Sequence, residues 1–275
     1  MTVTNAVETT MIWGTVSGAS MVGMVISLLL SVVLPIFLGI FIYKKTKAWV
    51  PAFFIGCGIF VGFAMILEQI CHAIVLTVTG DVIRDNIWLY AIYGGLAAAL
   101  FEECGRWIAM KFCLKKHLTR ENALMYGAGH GGIEAFLILG MSSMSNLLTA
   151  AMINGGLMEK TMTALEPAQQ QVTYHQLSVL WTTPAYQFYL APVERISAIA
   201  LQIALSILVY SAVKTGRKLQ LAAAFGLHFA VDFLTVICAA AIPTWALELG
   251  LLLVVAVICV AVYKLAYVSS TEKKA

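Results

Sequence analysis

The sequence predicts an all-α membrane protein, a polytopic bundle of about seven transmembrane helices. Of its 275 residues, 61% are hydrophobic and only 11% are charged, whereas a soluble domain of this length carries roughly a quarter charged residues. Apolar runs of about 20 residues, the length needed to cross a bilayer as a helix, recur along the chain. We therefore expect a multi-pass protein of the cell membrane.

Polar or basic segments separate the predicted spans. The first span closes at Lys44 and Lys45, and the second is so long that it must tilt, kink or project from the bilayer. Residues 145–192 mix polar and aromatic residues, which predicts an outer segment of interfacial helices or a cap. The predicted spans are residues 21–43, 49–78, 87–110, 123–143, 193–213, 219–241 and 244–267. With no internal repeat or linker, residues 1–275 are predicted to be a single integral membrane domain.

The distribution of basic residues predicts the orientation. With the N-terminus outside and the C-terminus in the cytoplasm, thirteen Lys and Arg residues fall in cytoplasmic segments and three, including Arg195, in outer segments. Cytoplasmic loops carry the excess of Lys and Arg in membrane proteins, so this orientation is favoured. The basic residues are thereby explained by topology, and we expect no nucleic-acid partner.

Three ionisable residues, Glu102, Glu103 and Arg106, lie inside the third predicted span. Such side chains are costly within a membrane and mark a functional site by default. Adjacent residues on a helix point about 100° apart, so Glu102 and Glu103 cannot face one point. We expect one carboxylate to pair with Arg106 and the other to be free for chemistry.

Two histidines share a depth with this carboxylate. From the nearest basic residue at the predicted cytoplasmic side, Glu102 lies about 13 Å into the membrane, and His130 and His228 lie about 15 Å in. Each histidine is followed four residues later by an acid on the same helix face, Glu134 and Asp232. Three spans thus predict a common layer of an acid and two imidazoles.

The layer suits general-base hydrolysis. A desolvated carboxylate beside an imidazole could hold and deprotonate a water, while the second histidine and its acid could stabilise an oxyanion. A further pair, Glu68 and His72, is placed near the outer surface by the same count and excluded from the layer. Two purely structural interpretations remain open. A buried acid and arginine can hold helices together, and a lone histidine can bridge two helices through hydrogen bonds.

Three short motifs carry a family resemblance: Glu102-Glu103-x-x-Arg106, Tyr126-x-x-x-His130 and His228-x-x-x-Asp232. Together they resemble the pattern of the CAAX-protease and bacteriocin-processing superfamily (CPBP), which includes the type II CAAX prenyl endopeptidases. The surrounding residues, Phe-Glu-Glu-Cys-Gly-Arg and Gly-His-Gly-Gly-Ile-Glu-Ala, are most similar to those of the YhfC-type membrane peptidases, a divergent branch. The likeness extends from the third span to most of the remaining chain.

The resemblance implies a glutamic-type intramembrane endopeptidase in which Glu102 and His130 activate water, while His228 and Asp232 form the oxyanion side. Three departures from the pattern stand out. Two residues rather than three separate the glutamate pair from Arg106, Tyr126 replaces a phenylalanine, and Asp232 replaces the asparagine of the prenyl endopeptidases. An ionised Asp232 cannot donate a hydrogen bond, so it would have to be protonated or orient His228 instead.

Two alternatives differ in chemistry. No cofactor is favoured, but glutamate and histidine are acceptable zinc ligands, so a metalloprotease using Glu102, His130 and His228 stays open although no HExxH motif is present. A non-proteolytic polytopic scaffold or carrier could use the same buried charges structurally, and the superfamily includes such a scaffold in gamma-secretase. The expected partners are membrane lipid and a membrane protein or peptide substrate.

Overall fold

The structure is a computed structural model that describes residues 11–268, with side chains to residue 265. Within that range every regular element is helical, which confirms the predicted fold class. Seven helices are long and apolar enough to cross a membrane: α1 Gly18–Thr46, α2 Pro51–Thr79, α3 Ile87–Cys113, α4 Arg120–Asn154, α7 Ala185–Thr215, α8 Lys218–Ala239 and α9 Thr244–Leu265. Two shorter helices, α5 Leu157–Met162 and α6 Pro167–Thr182, join α4 to α7. The chain is therefore a multi-pass membrane protein, and its orientation stays a prediction.

Helices α4 and α7 both extend into residues 145–192, the predicted outer segment. Helix α4 continues through a serine-rich stretch to Asn154. The hydroxyl of Ser142 donates to the carbonyl of Ile138 one turn earlier at 2.6 Å, so this polar group has a partner within its own helix. Helix α7 begins at Ala185 and contains Pro192, a residue that membrane helices tolerate better than soluble ones. Within residues 145–192, only α5, α6 and their turns lie outside the long helices.

The short helix α6 packs against the chain segment that precedes α1. The ring of Trp13 lies 5.5 Å from that of Tyr174 and 5.7 Å from that of Trp181. The side-chain amide of Asn154, at the end of α4, accepts from the backbone N–H of Val16 at 2.8 Å and donates to its carbonyl at 2.9 Å. These contacts tie one end of α1 to the segment between α4 and α7.

Helix α4 lies at the centre of the bundle, between α1, α2 and α7. Its glycines allow close approach of the neighbouring helices. A Cβ on Gly129 would lie 1.9 Å from the carbonyl oxygen of Phe53 on α2, and one on Gly127 would lie 2.7 Å from Cα of Ile203 on α7. Small residues at such contacts are typical of membrane helix packing. The backbone of α4 is thus fixed on two sides beside the histidine it carries.

This close contact predicts a stability effect. Gly129→Ala should destabilise the protein by about 1–3 kcal/mol or more, because the added methyl group meets backbone atoms that cannot rotate away. Gly58→Ala is the matched control, since a Cβ on this glycine of α2 meets nothing within 4 Å. Thermal unfolding in detergent should show a lower midpoint for the first variant only. Equal midpoints for the two variants would contradict the contact.

Candidate active site

Helix α3 supplies the acidic and basic centre of the site. The guanidinium of Arg106 is fully buried and donates to the carboxylate of Glu103 one turn away on the same helix. It also donates to the side-chain carbonyl of Gln202 on α7. Nη2 of Arg106 is 4.0 Å from Oε2 of Glu102, beyond hydrogen-bond distance. Glu103 is therefore the partner of Arg106, and Glu102 is the carboxylate available for other contacts.

Glu102 of α3 is in contact with His130 of α4. Nε2 of His130, a fully buried residue, lies 2.9 Å from Oε2 of Glu102. The edge of the Phe60 ring packs on the imidazole, with ring centroids 5.2 Å apart and an interplanar angle of 80°. The hydroxyl of Tyr126 lies 3.5 Å from Nδ1 of His130. The acid and imidazole that the sequence placed at one depth are in direct contact.

Gln202 joins two carboxylates of the site. Its side-chain nitrogen donates to Oε2 of Glu102 at 2.9 Å and to Oε2 of Glu134 at 2.8 Å. Because its carbonyl oxygen accepts from Arg106, the amide is held at both ends. Gln202 thus fixes the positions of Glu102 and Glu134 relative to each other.

The second histidine lies between three acids. Nδ1 of His228 donates to Oε1 of Glu103 at 2.8 Å, and its Nε2 lies 3.5 Å from Oδ2 of Asp232 and 4.0 Å from Oε2 of Glu102. A carboxylate on one imidazole nitrogen fixes the orientation of the ring. Nε2 of His228 is therefore directed at the space beside Glu102.

A cavity of about 230 Å³ lies over these groups. Glu102, Glu134, His228 and Asp232 line it together with Arg195. The side chain of Asp232 is 35% exposed, whereas that of His228 is 4% exposed. A polar cavity of this size can hold several waters or part of a peptide.

The structure brings together the eight residues that the sequence singled out: Glu102, Glu103, Arg106, Tyr126, His130, Glu134, His228 and Asp232. They come from α3, α4 and α8, the three spans predicted to share a layer. Their placement agrees with the expected layer, and their roles in catalysis stay predictions.

Two residues of α7 that belong to the site were not predicted from the sequence. Gln202 was not considered, although a polar side chain within an apolar span is the signal that would have found it. Arg195, which the sequence analysis counts with the outer basic residues, lies within α7, where it pairs with Glu134 at 3.2 Å and with the neighbouring Glu194. The side of the membrane on which it lies stays a prediction.

The excluded pair, Glu68 and His72, forms a separate polar contact between α2 and α3. Nε2 of His72 lies 3.2 Å from Glu68, and its Nδ1 lies 2.8 Å from the hydroxyl of Tyr93. Tyr93 precedes Glu102 by nine residues, about 13 Å along the helix axis. Glu68 is buried at the end of a π-helical turn, Val61–Glu68.

The donor set at the centre fits a metal ion. Glu102, His130 and Glu134 each offer a ligand atom, and these three atoms lie within 4.8 Å of one another. Two carboxylates and one imidazole are ligands that zinc accepts. This group differs at one position from the metalloprotease alternative considered from the sequence, with Glu134 in place of His228.

The balance of charges around the cavity also favours a bound cation. Among the described residues, five carboxylates cluster here against two guanidinium groups: Glu102, Glu103, Glu134, Glu194 and Asp232 against Arg106 and Arg195. Carboxylates removed from water are stable only if cations or protons balance their charge. A divalent cation among these groups would supply that balance.

Comparison with known proteins defines the class. The family model described as YhfC intramembrane metalloprotease matches residues 30–259, which include every residue of the site. An uncharacterized membrane protein, YhfC, from Bacillus subtilis (strain 168) is 41% identical over 222 residues, covering 78% of this chain and 83% of the relative. No solved structure matches the chain.

The chain is a multi-pass membrane protein of the intramembrane protease class, as its family is described. It belongs to the YhfC intramembrane metalloprotease family. The family's description gives intramembrane proteolysis as the general activity.

Proposed function

We propose that the chain is an endopeptidase that hydrolyses peptide bonds of a membrane-associated protein or peptide at the cavity over Glu102 and His130. The observation that carries the proposal is that Glu102, in direct contact with the buried His130, lines one polar cavity together with His228. A purely structural polar network would not need a cavity lined by its acids. The family's description supports the same activity.

Glu102 and His228 have different roles in the proposed reaction. A water beside Glu102 attacks the carbonyl carbon of the scissile bond, and a carboxylate oxygen of Glu102 takes its proton. His228 acts as the imidazolium: its Nδ1–H donates to Glu103, which holds the ring, and its Nε2–H donates a hydrogen bond to the oxyanion. When the C–N bond breaks, the proton returns from Glu102 to the leaving nitrogen. Asp232, 3.5 Å from Nε2, orients His228.

The proposal includes zinc, which would be held by His130, Glu134 and one carboxylate oxygen of Glu102. The other oxygen of Glu102 would then be the one that takes the proton of water. A bound metal differs from the metal-free expectation of the sequence. The donor set, the excess of carboxylates and the family's description support it. Zinc in this position would supply Lewis-acid polarisation of the carbonyl and of water. Gln202 would hold both carboxylate ligands in place through the hydrogen bonds described above.

Metal analysis tests this part. Purified protein should contain about one zinc per chain, and His130→Ala or Glu134→Gln should lose most of it because each removes a ligand. Glu248→Gln is the matched control, since Glu248 is a buried glutamate of α9 outside the donor set. Elemental analysis after dialysis against a weak chelator measures the content. Metal retained in full by both ligand variants would contradict the assignment.

A metal-free, glutamic-type reaction is the second candidate. It is favoured by the direct contact of 2.9 Å between Glu102 and His130, which could hold a water without a metal, and by the CAAX-superfamily resemblance. Cleavage by protein that contains no metal and is unaffected by chelators would establish this form. Cleavage that stops on chelation and returns with added zinc would reject it.

A further inference from the structure

An apolar groove separates α8 from α9. One part of it, a cavity of about 190 Å³, is lined by Cys238 of α8 and by Leu247 and Gly250 of α9 among others. A second part, of about 340 Å³, is lined by Leu227 of α8 and Val257 of α9 among others. Although these helices are neighbours in sequence, α8 packs mainly on α3 and α9 mainly on α7. The two helices thus leave a channel between them.

This groove continues into the polar cavity of the site. Val231, Thr235 and Leu251 line both the first part of the groove and the cavity that contains Glu102 and His228. Val231 also lines the second part of the groove. A molecule in the groove would therefore lie directly beside the proposed reacting groups.

The groove is open on the lipid side. Leu234 of α8 is 51% exposed, and Leu253 and Val257 of α9 are 68% and 69% exposed. From Leu227 to Cys238 the lining of α8 extends about 16 Å along the helix axis, over half of the roughly 30 Å hydrocarbon core. Its dimensions and apolar lining suit a segment that itself lies within the bilayer.

We infer that the groove between α8 and α9 admits a membrane-spanning segment of the substrate polypeptide sideways from the lipid. This inference rests on the proposed peptidase function. A substrate helix must unwind before a peptide bond can be attacked, and its freed N–H and C=O groups need polar partners inside the membrane. The adjoining cavity offers such partners in His228 and Asp232, whereas a lipid chain would have no use for them.

Photocrosslinking from the groove tests the inference. Gly250→p-benzoylphenylalanine places a benzophenone there, because a Cβ on Gly250 meets nothing within 4 Å. Gly58→p-benzoylphenylalanine is the matched control, since that exposed glycine of α2 has equally open space and lies outside the groove. Both variants carry Glu102→Gln to prevent turnover. They are reconstituted in phosphatidylcholine–phosphatidylglycerol vesicles with a biotinylated peptide whose span is about 20 leucines and alanines.

Illumination should give severalfold more biotinylated adduct from position 250 than from position 58. Equal yields, or adducts to lipid alone at position 250, would overturn the inference. The same peptide is also incubated with the unmodified protein to detect cleavage. Enriched capture without cleavage would support the groove and count against the peptidase proposal, whereas cleavage without enriched capture would reject the groove alone.

Discussion

Glu102→Gln should reduce peptide cleavage by roughly a hundredfold to ten-thousandfold, the range that a positioned acid–base group contributes. The amide has nearly the shape of the carboxylate but can neither accept the proton of water nor serve as an anionic ligand. Because Glu102 contacts His130 and Gln202 through one oxygen, the variant should keep the fold. Rates on a membrane-spanning peptide in vesicles measure the effect, with monodispersity in detergent as the check on folding.

Glu248→Gln provides the comparison for this variant. Glu248 is also a buried glutamate within a span, but it belongs to α9 and does not line the polar cavity. Its replacement should leave the rate within a few-fold of that of the unmodified protein. Undiminished cleavage by Glu102→Gln, or an equal loss in both variants, would remove Glu102 from the reaction.

Arg106→Met should destabilise the protein by about 3–5 kcal/mol, the cost of removing one partner of a buried ion pair. The side chain of Arg106 is fully buried, and its loss removes the guanidinium that balances the charge of Glu103, which then keeps only its contact with His228. Arg84→Met is the matched control, because Arg84 and Asp81 are 54% and 79% exposed and lie 3.9 Å apart. Such surface pairs contribute about 0–1 kcal/mol. Denaturant titration in detergent should separate the two variants clearly.

A double variant identifies the cause of that loss. Glu103→Gln added to Arg106→Met removes the orphaned charge and keeps a side-chain oxygen that can accept from His228. The double variant should therefore be more stable than Arg106→Met alone. A double variant that is no more stable would show that packing, and not the buried charge, explains the role of Arg106.

The layer of ionisable residues could be predicted from the sequence because the membrane limits what such residues can do. Charged side chains are rare in spans, and a helix rises about 1.5 Å per residue, so Glu102, His130 and His228 can be placed at one depth by counting from basic anchors. The expectation that Arg106 pairs with one glutamate of its own helix follows from the same geometry, and the structure identifies that glutamate as Glu103.

Contacts between helices could not be predicted in this way. Depth does not give the rotation of each helix, which depends on packing against its neighbours. Glu134 therefore joins Glu102 and His130 in the possible metal site, where the metalloprotease alternative considered from the sequence has His228. Gln202 went unnoticed because its importance comes from bridging two carboxylates on other helices. Helices α4 and α7 extend beyond the predicted spans because the mixed polar and aromatic composition of residues 145–192 does not show where a continuous helix ends.

Mapping new N-termini in the membrane fraction of the native cell tests the central claim most directly. Cells that lack the protein are complemented with either the unmodified chain or Glu102→Gln at matched expression, and N-terminal peptides are compared by mass spectrometry. We expect N-termini within or at the edge of apolar spans of other proteins only with the unmodified chain. Identical sets of N-termini from the two strains would contradict an intramembrane peptidase centred on Glu102 and His130.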